Sequence, residues 1–139
     1  MPKPARAKPS AKRPAAKKAP AKTTAAWPRL RLRVHLAEDA MLGPGKADLL
    51  EGIAETGSIA AAGRRMGMSY KRAWQLTETL NGFFAAPLVT AATGGARGGG
   101  AALTPLGREV LARFRRMEAA TLKACAAEIR ALQRRRPPR

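Results

Sequence analysis

One histidine, His35, and one cysteine, Cys125, bound the chemistry open to this chain. General-base or nucleophilic catalysis sets such a residue beside a partner group. His35 stands in the alternating run "LRLRVHL" without one, and Cys125 falls where a small apolar residue would sit on a helical stripe. A single Cys and a single His far apart are no recognisable metal-ligand set, and the adjacent acids Glu38 and Asp39 read as solvated.

A different kind of candidate is the segment "TGGARGGGAALT", residues 93–104, with five glycines and Arg97 between Thr93 and Gly100. Glycine loses more freedom on folding than any other residue, so the cluster suggests a phosphate cradle, a linker or a loop shaped for contact. A phosphate loop needs Lys and then Ser or Thr after its last glycine, with a helix opening there. Here Gly100 runs into "AALT", and the dinucleotide pattern G-x-G-x-x-G is absent. The residues therefore imply no catalytic centre, no metal, no cofactor and no enzyme.

The charge points to a polyanion. Against 27 Lys and Arg stand nine Asp and Glu, a formal net charge of +18, which favours nucleic acid over an anionic membrane. The excess is uneven. Nine bases in residues 1–29 and four arginines among 134–139 leave 14 bases against nine acids in between, a net +5. Three parts follow: a basic Lys/Pro/Ala-rich tail over 1–29, expected to be disordered; a globule over 30–133; and a basic end over 134–139. No run reaches the roughly 20 apolar residues of a membrane span, and no secretory signal opens the chain. A lone cysteine fits a reducing compartment, so the expected location is the cytoplasm, on the nucleoid.

Within the globule, "LRLRVHL" predicts a strand that buries Leu30, Leu32, Val34 and Leu36. A helix is expected from Lys46 to about Thr56, stopped by Gly57. In "GSIAAAGRRMGMSYKRAWQLTETLN", Ser58 can cap a short helix facing inward through Ile59, Ala62 and Met66. Gly67 and Met68 turn the chain, and Ser69 caps a second helix. That is the helix-turn-helix arrangement. Ala73, Leu76, Thr77 and Leu80 would face inward, leaving Ser69, Tyr70, Lys71, Arg72 and Gln75 on the outward, N-terminal side. Arg and Gln there could read guanine and adenine edges in the major groove, while Ser69 and the first amides suit a phosphate. Arg64 and Arg65 complete the cationic surface beside them.

Strands are expected around 88–92 and 101–103, on either side of the glycine segment. Thr104 and Pro105 would then open a helix reaching Gln133, roughly 40 Å long. Val110, Phe114, Met117, Thr121, Cys125, Ile129 and Leu132 form a stripe along it at steps of three or four.

The runs "GMSYKRAW" and "TGGARGGGAALT" resemble the DNA-binding domain of the molybdate-responsive ModE regulator family, itself similar to the winged helix-turn-helix of LysR-type regulators. The resemblance spans about residues 30–133. It implies a mainly α fold with a small β-hairpin, namely a winged helix-turn-helix with a long C-terminal dimerisation helix. It also implies a recognition helix starting at Ser69, with Trp74 packing that helix onto the domain. The wing would run from about Leu88 to Leu103 and carry Thr93 and Arg97 to the DNA backbone or minor groove. The stripe from Val110 to Leu132 would be the interface of a homodimer on double-stranded DNA. The family's molybdate-binding domains have no counterpart in these residues, so no small-molecule effector is expected of them. The leading expectation is a DNA-binding transcriptional regulator; the alternatives are a nucleoid-associated coating protein and an adaptor to another regulator.

Overall fold

The structure, a computed structural model, describes residues 27–92 and 100–139. It is mainly helical, with two short antiparallel hairpins among the described residues. Strands β1 (Val34–Ala37) and β2 (Ala40–Leu42) form the first hairpin, with exposed Glu38 and Asp39 at its turn. The expected strand is shorter than its alternating sequence, starting at Val34 rather than Leu30. Its pairing shifts between His35 and Ala37, which breaks the two-residue alternation and leaves Leu36 50% exposed. Leu32 and Val34 still pack against the core.

Helix α1 (Pro44–Thr56) begins two residues before Lys46, because Pro44 occupies its first position, where a missing N–H is harmless. It buries Ala47, Leu49, Leu50 and Ile53 and ends at Gly57, whose N–H donates to the Ile53 carbonyl at 2.8 Å. Helix α2 (Ile59–Arg65) is capped by Ser58, whose hydroxyl accepts from the Ala61 N–H at 3.0 Å. Gly67 turns the chain with φ of 73°, a left-handed conformation that costs a residue with a side chain. Helix α3 (Tyr70–Asn81) follows, with Ser69 accepting from the Arg72 N–H at 3.1 Å. The turn is tight because small residues meet across it: a Cβ on Gly63 would lie 2.8 Å from the Cβ of Ala73.

Strands β3 (Val89–Ala91) and β4 (Ala101–Leu103) pair Val89 with Leu103, Thr90 with Ala102 and Ala91 with Ala101. Val89, Ala101 and Leu103 are buried, while Thr90 and Ala102 face out. Three anchors hold this hairpin against the helices. The Ala101 N–H donates to the Gly57 carbonyl at 2.9 Å, at the corner between α1 and α2. The side chain of Asn81, the last residue of α3, accepts from the Leu88 and Val89 N–H groups at 2.8 and 2.9 Å and donates to the Val89 carbonyl at 3.1 Å. Thr104 donates from its hydroxyl to the Pro87 carbonyl at 2.8 Å and accepts from the Gly107 N–H at 2.9 Å, capping the next helix.

The long C-terminal helix divides into α4 (Pro105–Ala124) and α5 (Ala126–Arg134), with a turn at Cys125. The apolar stripe runs through the turn unbroken, so the division is not visible in it. One turn earlier, Thr121 donates its hydroxyl to the Met117 carbonyl at 2.7 Å, a back-bond that tends to bend helices. Arg115 fastens α4 to α1 by donating to Asp48 at 2.7 Å and Glu51 at 2.8 Å, and it also pairs with Glu118. Burial alone would disfavour its charge, but the hydrogen bonds to Asp48, Glu118 and Glu51 outweigh that and raise its pKa above the ordinary arginine value.

Leu49, Leu50, Ile53, Ala62, Ala73, Leu80, Leu88 and Phe114 centre a single core drawn from all of α1 to α4 and both wing strands. No helix among the described residues is long and apolar enough to cross a membrane, and no cluster of three or more His, Cys, Asp or Glu there could hold a metal ion.

Candidate nucleic-acid interface

Helix α3 presents three faces, set by its 3.6-residue turn. Ala73, Thr77 and Leu80 point into the core at 0–1% exposure, and Thr77 satisfies its hydroxyl by donating to the Ala73 carbonyl at 2.8 Å. Directly opposite lie Lys71, Gln75 and Glu78, all exposed. The flanks divide by spacing: Tyr70 and Trp74 share one, Arg72 and Leu76 the other. The turn places the exposed start of α3, with Ser69, Tyr70, Lys71 and Arg72, at the surface of the domain. Among the charges here, positive ones lead: Lys71, Arg72 and Arg64 are exposed, against Glu78 one turn further along.

Two expectations about this surface change. Trp74 does not pack the helix onto the domain; it is 45% exposed, because the inward arc of α3 is filled by Ala73, Thr77 and Leu80 and Trp74 falls on its edge. Arg65 is only partly exposed and donates to Glu55 of α1, so its charge is partly engaged within the fold, unlike that of Arg64. Thr93 and Arg97, expected on the wing, lie outside the described residues, as does the basic tail up to residue 26. The paired strands that bracket residues 93–99 are present as expected.

The apolar stripe on the last helices also divides. Val110 and Phe114, expected in a dimer interface, are 7% and 1% exposed and belong to the core of their own domain, facing α1 and the wing rather than a partner. Met117 packs partly against the same core. Beyond it, Thr121, Cys125 and Ile129 are only partly covered, Leu132 is 70% exposed, and α5 has no buried residue. Leu122, off the stripe, adds another exposed apolar side chain at 39%.

Sequence reasoning missed the cleft between α3 and the first hairpin. Arg31, Arg33 and Lys46 border it together with Arg72, enclosing a volume of about 290 Å³. The alternation of Arg31 and Arg33 with inward Leu32 and Val34 was visible, but which element they would face was not.

These residues define a winged helix-turn-helix domain: a tri-helical core of α1 to α3, a two-stranded wing and a trailing helix. No protein-family model matches the chain. It is 48% identical over 84 residues to the molybdenum-pterin-binding protein MopB of Rhodobacter capsulatus, covering 60% of this chain and 31% of that protein. It is 37% identical over 92 residues to the molybdenum transport protein ModE of Azotobacter vinelandii, covering 63% and 34%. The DNA-binding transcriptional dual regulator ModE of Escherichia coli is 38% identical over 80 residues, covering 58% and 30%. The chain thus has homologues among the ModE and Mop proteins over some three-fifths of its length, as the motif resemblance implied, and it spans about a third of theirs.

Proposed function

We propose that this chain is a DNA-binding transcriptional regulator that docks α3 in the major groove as a homodimer. The observation that carries the reading is the start of α3: a capped, exposed helix end with Lys71 and Gln75 on the face opposite the core. Lys71 and Gln75 are the groove-facing side chains, able to bond guanine and adenine edges respectively. Ser69 and the first amides of α3 take a phosphate beside them. The wing, with Thr93 and Arg97, reaches the backbone or minor groove, and the basic tail adds sequence-independent attraction.

Dimerisation is assigned to the outer part of the stripe. Cys125, Ile129 and Leu132 follow one another at steps of four and three along the last helices, the first two half-buried and Leu132 exposed. Two copies pairing there would place two recognition helices on a pseudo-palindromic site. Genome-wide occupancy tests the function: a few sharp peaks are expected. Broad coverage would favour a coating protein, and peaks that vanish without a partner would favour an adaptor.

A further inference from the structure

The cleft beside α3 has the composition of an anion seat. Four cations, Arg31, Arg33, Lys46 and Arg72, border it, and no Asp or Glu does. They come from three separate elements: the segment leading into β1, the start of α1, and the first turn of α3. Its remaining side chains are apolar, with Met41, Met66, Met68 and Leu76 among them. Apolar walls of this kind focus the field of the surrounding charges, although the cleft itself is open to solvent. Gly45 leaves the first turn of α1 bare, since a Cβ there would meet nothing within 4 Å, whereas one on the buried Gly43 would lie 3.2 Å from Sδ of Met41 and 3.4 Å from Cγ of Arg33. The Arg33 stem therefore lies against the first turn of α1. That helix start adds its partial positive charge to a cleft the four side chains already define. Lys46 is the least exposed of the four, and its ammonium also sits 5.9 Å from the centre of the Phe83 ring.

We infer that this cleft seats a tetrahedral oxyanion, and that in the complex the anion is a backbone phosphate of the DNA strand running along one flank of α3. The inference rests on the docking of α3 proposed above. A helix about 10–12 Å across fills a major groove about 12 Å wide, so side chains on its flanks meet sugar and phosphate rather than bases. Arg72 lies on a flank, one step round from Lys71 and Gln75, and it opens into the cleft. Arg72 is accordingly a phosphate residue and not a base reader. Three arginines offer a phosphate paired N–H donors. A volume of about 290 Å³ suits one phosphate group with part of its sugar, falling just below the usual range of pockets for drug-sized ligands.

The test uses the full chain, the variant Arg31→Ala/Arg33→Ala and its conservative counterpart Arg31→Lys/Arg33→Lys. Affinity for a duplex from an occupancy peak and for a random duplex is followed by fluorescence anisotropy between about 50 and 200 mM KCl, the range over which phosphate neutralisation shows most clearly. Thermal melting is followed with inorganic phosphate at constant ionic strength. The alanine pair is expected to weaken binding by the same fold on both duplexes and to lower the slope of log affinity against log salt by about 0.9 for each phosphate no longer neutralised. The lysine pair restores that slope. Inorganic phosphate raises the melting temperature of the wild type but not of the alanine pair, and it competes with DNA. An unchanged slope in a variant whose parent binds DNA normally overturns the seat and leaves the docking of α3 standing. A wild type that binds no DNA, but binds phosphate through Arg31 and Arg33, overturns the docking and makes the anion a free one. Failure of both measurements overturns both.

Discussion

Replacing Phe114 by alanine separates core from interface on the long helix. Phe114 is 1% exposed and sits in the cluster formed by α1, α3 and the wing strands. Truncating a buried phenylalanine removes its transfer free energy and leaves a cavity, at a typical cost of about 3–5 kcal/mol. Small domains are stable by about 5–15 kcal/mol, so the change removes a large part of the total. At about 4–8 °C per kcal/mol for a domain of this size, the melting temperature falls by roughly 12 °C or more. Urea unfolding followed by circular dichroism, repeated over a wide range of protein concentration, measures it. The loss should persist at every concentration, because the packing removed lies within one chain. A variant of wild-type intrinsic stability that dissociates more readily would return Phe114 to the interface and refute the reasoning.

Three other perturbations probe the same architecture. Leu132→Asp should leave the domain folded, since the residue is 70% exposed, yet shift the oligomer towards monomer in light scattering; an unchanged dimer would place the interface elsewhere. Asn81→Ala removes three hydrogen bonds to Leu88 and Val89 and should cost about 1–3 kcal/mol through unsatisfied wing amides, with faster hydrogen exchange at Leu88 and Val89; unaltered exchange there would deny the anchor. Gly107→Ala drives a Cβ into the Leu88 carbonyl and should destabilise by about 1–3 kcal/mol, read by thermal melting.

What was legible in the sequence was mostly local. Ser58, Ser69 and Thr104 cap the helices they were expected to cap, because a cap needs only a hydroxyl and an amide two or three residues on. Of the inward set Ala73, Leu76, Thr77 and Leu80, read from helical spacing alone, three are buried, and Leu76, on the flank, is only partly so. What failed depended on elements distant in sequence. The stripe from Val110 to Leu132 reads as one apolar face, but periodicity does not say what covers it. Its first part is covered by α1 and the wing, and its last part is left open. Strand β2 is three residues long, too short to show alternation, and so the first hairpin and the cleft behind it were not legible. Arg72 is exposed at the start of α3 as its spacing implies, but its neighbours across the cleft, Arg31 and Arg33, arrive from far earlier in the chain and were not legible.

The central claim is that the exposed face of α3 reads DNA sequence. The most direct measurement compares wild type with Lys71→Ala and Gln75→Ala on a duplex from an occupancy peak and on random DNA at one salt concentration. The account predicts a loss of about 1–3 kcal/mol on the chosen duplex where the side chain bonds a base edge, with a much smaller loss on random DNA. Equal losses on both would contradict it, reducing Lys71 and Gln75 to backbone contacts.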